Sequence, residues 1–277
     1  MGWPETTALR AADGLRLHAV RWRATTPKAC VLLVHGVGEH CGRYAHVARF
    51  LVSRGYTVYS LDYRGHGQSE GERANVGTFD LPAADVKAAY DWLRAEEGNG
   101  PVYILGHSQG TLVTLLFVLT YPEAVAGVIL SATMLGLARM APPLALLTNV
   151  LNAVVPRWPL IPLNPATLSR DPAVLQAAAN DPLNHRKPLT PHLIHEMVAE
   201  ARRVLDRLPS LTAPILLMHG TQDRLVPPSG SQLVYDAVGS SDKTLTWYDG
   251  LYHEICNEPE QDQVMGDIAD WLDQRST

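Results

Sequence analysis

The 277-residue chain is 46% apolar and 18% charged, a globular balance that excludes a disordered or low-complexity protein. Its net charge of −5 comes with no basic stripe to neutralise phosphates, so nucleic acid is excluded as a partner. The three cysteines, Cys30, Cys41 and Cys256, are odd in number and lack Cys-x-x-Cys spacing, which reads as reduced thiols in a cytoplasmic protein. The first residues, MGWPETTALR, do not show the basic-then-apolar pattern of a signal peptide. The apolar stretch 141–163 is broken by Pro142, Pro143, Pro156, Pro159, Pro162 and Arg157, which argues against a spanning helix of about 20 residues and for a soluble protein.

In chain order, alternation over 15–22 predicts a half-buried antiparallel strand after the Asp13-Gly14 turn. The unbroken apolar run 30–34 predicts a strand covered on both faces. There follow a helix at about 43–54, a strand at 56–61, a helix at about 82–96, a strand at 102–105, a helix at 109–120 and a strand at 125–130. After a long gap come a strand at 215–218, a helix near 229–237, a strand at 244–247 and a closing helix at about 261–274. Such alternation predicts an α/β fold with a mainly parallel sheet, antiparallel at its start, and helices on both faces. The gap holds helical patterns at about 142–154, 171–179 and 190–206 and nothing resembling a strand. The expected division is therefore a core over 1–131 and 213–277, with 132–212 inserted as a helical cap over the carboxyl ends of the strands.

Gly106-His107-Ser108-Gln109-Gly110 lies between the run 102–105 and the apolar stretch 112–119. In that strand-turn-helix context the glycines permit a tight turn that pushes the serine hydroxyl outward as a nucleophile. A hydroxyl needs a base, and the base needs an orienting acid, in the chain order serine, acid, histidine. Of eleven histidines, only His253 lies beyond the last core strands and after the plausible acids. Asp223, on the loop after the run 215–218, is the expected acid; Asp249 is the next candidate, and an Asx-turn is the bland reading of Asp223. The loop His35-Gly36-Val37-Gly38 can present a backbone N–H, so Val37 and Gln109 are the expected oxyanion donors. His35, His66 and His107 read as structural, bonding backbone groups near turns. Glu39 and Arg43 are candidate binders of an alcohol group, set against a surface ion pair at a helix start. Leu147 and Leu151, with their apolar neighbours on 144–155, are candidate lining of an acyl tunnel or lid, set against ordinary cap packing.

His195-Glu196-Met197-Val198-Ala199 lacks the second histidine of a zinc helix, and no phosphate-cradling glycine loop is present. No metal or other cofactor is implied.

Together the blocks HGVGEHCGRY at 35–44, DYRGHGQSEG at 62–71, GHSQG at 106–110, SRDP at 169–172, HGTQDRLVPP at 219–228 and GLYHEICNEPE at 250–260 resemble the α/β-hydrolase superfamily, in its monoacylglycerol lipase and lysophospholipase-like branch. The resemblance spans nearly the whole chain and implies Ser108, Asp223 and His253 as catalytic residues. The triad order with its oxyanion loop points to an ester hydrolase acting through an acyl-enzyme, with an inactive hydrolase-fold binding protein as the non-enzyme alternative. The resemblance implies a monoacylglycerol or related single-chain lipid ester as substrate, with a lysophospholipase, a general carboxylesterase acting on aryl or other esters, or a thioesterase as alternatives. It leaves room for transient contact of the cap with a membrane or micelle surface and sets no oligomeric state. Two positions depart from the branch pattern GHSMGG: Gln109 replaces methionine, expected to make the pocket floor more polar, and Thr111 replaces the second glycine, expected to thicken a helix contact.

Overall fold

The unbroken apolar runs become the inner strands of one eight-stranded sheet in the computed structural model, which describes residues 4–122 and 125–276. Of the N-terminal reading, residues 1–3 lie outside that description. The strands are β1 (Glu5–Arg10), β2 (Arg16–Trp22), β3 (Ala29–Val34), β4 (Tyr56–Leu61), β5 (Val102–His107), β6 (Gly127–Ser131), β7 (Ile215–Gly220) and β8 (Lys243–Tyr248), in spatial order β1-β2-β4-β3-β5-β6-β7-β8. β1 and β2 form an antiparallel hairpin, β2 joins β4 antiparallel, and every later pairing is parallel. Each residue of β3 to β7 is buried, whereas the edge strands β1 and β8 are largely exposed or half-buried. β1 was not legible beforehand: ETTALR has no apolar alternation, and its backbone is recruited by β2 through the turn at Gly14, whose φ is +90°.

Eight α-helices accompany the sheet among the described residues: α1 (Ala45–Ser53), α2 (Asp80–Glu97), α3 (Gln109–Thr120), α4 (Pro142–Val154), α5 (Pro172–Asn180), α6 (Pro191–Arg207), α7 (Ser229–Ala237) and α8 (Gln261–Asp273). The period of two along a strand sorts the core. Val31, Leu33 and Val58 pack with Leu51 of α1 and Ile268 and Leu272 of α8 on one face; Leu32, Val34 and Ile104 pack with Leu112 and Leu116 of α3, Val86 of α2 and Val234 of α7 on the other. α3 is buried all round, which explains why its sequence carries no amphipathic stripe.

The three helices expected between β6 and β7 are α4, α5 and α6, and they differ in depth. α6 puts Leu193, Met197, Ala201 and Val204 into the same core as α3, while α4 buries only Ala145 and Thr148, and α5 has no buried residue. Proline at the first turn, where a missing N–H costs nothing, opens all three. Asp171 and Thr190 cap α5 and α6 by accepting from Ala173 N–H at 2.8 Å and Leu193 N–H at 3.2 Å. No strand was expected here, and the segment adds a single bridge, Ile161 to Leu189.

Candidate active site

β5 ends at His107, α3 begins at Gln109, and the one residue between them, Ser108, has φ +52° and ψ −122°. A non-glycine residue rarely adopts that conformation, and the surrounding packing holds it there. Gly110 lets the first turn of α3 lie against the end of β3: a Cβ there would stand 2.4 Å from the carbonyl oxygens of both Val34 and His35. The serine is thus lifted to the carboxyl edge of the sheet.

To the same edge β7 and β8 deliver the acid and the imidazole. His253 Nε2 lies 2.9 Å from Ser108 Oγ, and His253 Nδ1 lies 2.7 Å from Asp223 Oδ2. All three residues are buried. The two readings of Asp223 turn out to be compatible, because its oxygens divide the work. Oδ1 accepts the N–H groups of Leu225 and Val226, both at 2.8 Å, in an Asx-type turn, while Oδ2 faces the imidazole. Burial works to raise the Asp223 carboxyl, but hydrogen bonds from His219 and His253 outweigh it and hold it well below the usual range. Asp249, the other acid weighed, is exposed and accepts from Thr221 Oγ1 at 3.0 Å.

A cavity of about 230 Å³ opens beside the serine. Val37, Leu163, Pro165, Leu168, Ala178 and Leu225 supply apolar wall, His185, Arg186 and Lys187 supply basic groups, and Ser108, His107 and His253 are part of the lining. Among the described residues the Val37 N–H has no partner in the protein. The Gln109 N–H, at the first position of α3, has no intrahelical acceptor either. Val37 lines the cavity together with Ser108, and Gln109 is the residue that follows Ser108.

Five expectations need correction. Glu39 and Arg43 are not a surface pair: Glu39 is buried, Arg43 largely so, and both line the cavity. Arg43 bonds Glu39 at 2.9 Å and meets Glu254 in two parallel contacts of 2.7 Å, while Glu39 also accepts Gly36 N–H at 2.5 Å and the Tyr44 hydroxyl at 2.7 Å. Burial would raise the Glu39 carboxyl, yet the Arg43 charge prevails and holds it at about 2.

The Gln109 side chain does not form a polar pocket floor, because it is fully buried, directed at the Tyr63 hydroxyl, and absent from the cavity wall. Nor does Thr111 merely thicken a contact, since its hydroxyl donates to the Ser108 carbonyl at 2.6 Å.

Leu147 and Leu151 are not among the residues lining the cavity. Leu147 is 50% exposed on a face of α4 shared with Leu144, Leu146, Val150 and Val154. Finally, His35 and His66 bond backbone carbonyls as expected, but His107 meets the Ser131 hydroxyl at 3.2 Å, and its ring lies 4.9 Å from that of His253. Burial and the neighbouring His253 push His107 down to about 4.

Missed beforehand was His219, whose Nε2 also reaches Asp223 Oδ2, at 3.1 Å. The available signal was a histidine four residues before the acid, at the end of a buried strand. One trio of potential metal ligands, His18, Cys41 and Asp62, lies close together among the described residues. Asp62 instead accepts the N–H groups of Cys41 and Gln68, both at 2.8 Å, and burial pushes the Cys41 thiol well up, so the trio holds a turn.

The model of the serine aminopeptidase, S33 family matches residues 25–260. The chain belongs to that family. As an S33-family protein it is 35% identical to the monoacylglycerol lipase of Mycolicibacterium smegmatis over 261 residues, covering 94% of this chain and 93% of that one. It is 37% identical to the human monoglyceride lipase over 270 residues, covering 96% and 89%. The crystal structure of Paleococcus ferrophilus monoacylglycerol lipase superposes with a TM-score of 0.81 at 30% identity, covering 92% of this chain and 98% of that one. This S33-family member is a monoglyceride lipase-like serine hydrolase with the α/β-hydrolase fold. No helix among its described residues is long and apolar enough to cross a membrane.

Proposed function

We propose that the chain hydrolyses monoacylglycerols through an acyl-enzyme, with Ser108, His253 and Asp223 as the catalytic residues and the Val37 and Gln109 N–H groups as the oxyanion site. The observation that carries this reading is the unbroken relay from Ser108 Oγ to His253 Nε2 at 2.9 Å and from His253 Nδ1 to Asp223 Oδ2 at 2.7 Å, opening on the cavity. Ser108 Oγ attacks the ester carbonyl as its proton passes to His253 Nε2, and Asp223 holds the ring and offsets its positive charge. The two N–H groups stabilise the oxyanion; removal of such a donor typically costs about 2.7–4 kcal/mol. Collapse breaks the ester C–O bond and the glycerol oxygen takes the proton from His253. A water then gives its proton to His253 and attacks the acyl carbonyl, and the second collapse returns a proton to Ser108 and frees the fatty acid.

The monoacylglycerol assignment is supported by the names of the two relatives and by a wall rich in small and branched apolar groups. A second reading, favoured by Arg186 and Lys187 on that wall, is a lysophospholipid with an anionic head. We further read 132–212 as a cap, a reading supported by its residues between Pro162 and Pro188 that line the cavity together with Ser108. The exposed apolar face of α4 is its proposed point of contact with a membrane or micelle. The three buried free thiols fit a reducing compartment, and the cytoplasm is the proposed location.

Purified protein is assayed on monoacylglycerols of graded length, on di- and triacylglycerols and on lysophospholipids, beside Ser108→Ala and a fluorophosphonate label. Selective turnover of monoacylglycerols, lost in Ser108→Ala together with labelling, is the expected result. Preference for lysophospholipids would select the second reading. Undiminished hydrolysis by Ser108→Ala would overturn both.

A further inference from the structure

Each proposed oxyanion N–H shares a rigid peptide plane with the carbonyl of the residue before it: Val37 N–H with Gly36 C=O, and Gln109 N–H with Ser108 C=O. Both carbonyls are bonded by side chains on the side away from the reaction. Gly36 C=O faces His35 Nδ1 at 2.8 Å and the Tyr63 hydroxyl at 3.0 Å. Ser108 C=O accepts the Thr111 hydroxyl at 2.6 Å and the Thr111 N–H at 2.9 Å. These are buried contacts, and the His35 ring is stacked on Tyr63 with centroids 4.2 Å apart and planes 11° off parallel.

A hydrogen bond accepted at the carbonyl end of an amide polarises the unit and strengthens its N–H as a donor, and low dielectric enhances the effect. It also fixes the direction of the N–H, which is what preorganised oxyanion stabilisation requires. Resting on the reading of Val37 and Gln109 as oxyanion donors, we propose that His35, Tyr63 and Thr111 are positioning residues that lock and polarise those two peptide units, and that the Gln109 amide completes the set through Tyr63.

The role of Gln109 follows from counting protons. Tyr63 has one hydroxyl hydrogen but lies within bonding distance of two oxygens, Gly36 O at 3.0 Å and Gln109 Oε1 at 2.8 Å, while Gln109 Nε2 is buried without a partner. With the amide turned over, Nε2 donates to the Tyr63 oxygen and the Tyr63 proton is released to Gly36 C=O. A relay then runs from the residue after the nucleophile to the oxyanion loop. The two departures from GHSMGG, Gln109 and Thr111, thereby act one on each of the two peptide units.

The test compares wild type with Tyr63→Phe, Thr111→Val, Thr111→Ser, Gln109→Met and the double variant Tyr63→Phe/Gln109→Met on one soluble ester, with a boronic acid as tetrahedral mimic. Loss of one net hydrogen bond corresponds to roughly three- to tenfold in rate. Tyr63→Phe and Thr111→Val are expected to lower kcat by that factor and to weaken the boronate in proportion, with KM within about twofold of wild type. Thr111→Ser, which keeps the hydroxyl, restores kcat, and the double variant is no slower than Tyr63→Phe alone because the pair acts as one unit. A wild-type kcat in Tyr63→Phe and Thr111→Val, with only the thermal midpoint reduced, would show purely structural roles and overturn the proposal. Multiplicative losses in the double variant would overturn the relay. A Ser108→Ala protein as active as wild type would instead remove the underlying site reading.

Discussion

His219 Nε2 lies 3.1 Å from Asp223 Oδ2, the same oxygen that His253 approaches at 2.7 Å. Its other neighbour there is the Val226 carbonyl at 3.1 Å, so Nε2 faces only acceptors and must carry the hydrogen, while Nδ1 meets the Ser231 hydroxyl at 2.7 Å. Asp223 is therefore held from behind by a donor that also ties β7 to α7. His219→Phe is expected to destabilise the fold by about 1–3 kcal/mol, the cost of stranding buried polar groups, and to lower kcat/KM several-fold as Asp223 loses a support. Urea unfolding and steady-state kinetics check this; an unchanged kcat/KM would show that Asp223 is placed by its turn alone.

Arg43 stands between two buried carboxylates, Glu39 and Glu254. Arg43→Met leaves both uncompensated, and removing one member of a buried pair typically costs about 3–5 kcal/mol. The exposed Lys87–Asp91 pair offers the contrast: Lys87→Ala should cost about 0.5 kcal/mol or less. Chemical denaturation of the two variants side by side measures the difference.

Stability should fall on acidification in two overlapping steps. His107, pushed to about 4, and His66, pushed to about 3, chiefly by burial, bind fewer protons folded than unfolded. Their contribution is complete above the ordinary histidine value near 6.5 and is lost as pH falls through those folded values. Glu39, at about 2 against an ordinary 4.5, contributes in full above about 4.5 and loses that contribution as pH falls toward 2. Unfolding free energies between pH 7 and 3 should decline throughout, and Glu39→Gln should flatten the portion below about 4.5. A flat profile would contradict the burial of the two histidines and the pairing of Glu39 with Arg43.

On α4, Leu146 is 64% and Val154 71% exposed, so neither supports the core. Leu146→Ser with Val154→Ser should leave stability within about 0.5 kcal/mol while weakening binding to phosphatidylcholine vesicles. Co-sedimentation decides it, and undiminished vesicle binding would detach this face from any lipid contact.

Gly110→Ala would drive a methyl into the Val34 and His35 carbonyls. Loss of soluble folded protein, read by circular dichroism, is the expected result. A folded Gly110→Ala protein would mean that α3 can withdraw from β3.

That Ser108, Asp223 and His253 would meet at one edge of the sheet was legible from order and context, because strand-turn-helix punctuation is local chemistry written in glycines and apolar runs. The inner strands and all eight helices were legible for the same reason, since period and continuity report burial. β1 was not, because ETTALR acquires its strand form only by pairing with β2.

The sequence by itself determined which groups could react and which edge of the sheet would carry them. Tertiary structure alone decided that Glu39 and Arg43 are buried with Glu254, that His219 backs Asp223, that Gln109 turns to Tyr63, and that Leu147 faces outward. Gln109 and Tyr63 lie 46 residues apart along the chain, and Arg43 and Glu254 lie 211 apart. Burial, which sets the value of every charge and hydrogen bond, is a property of the assembled whole.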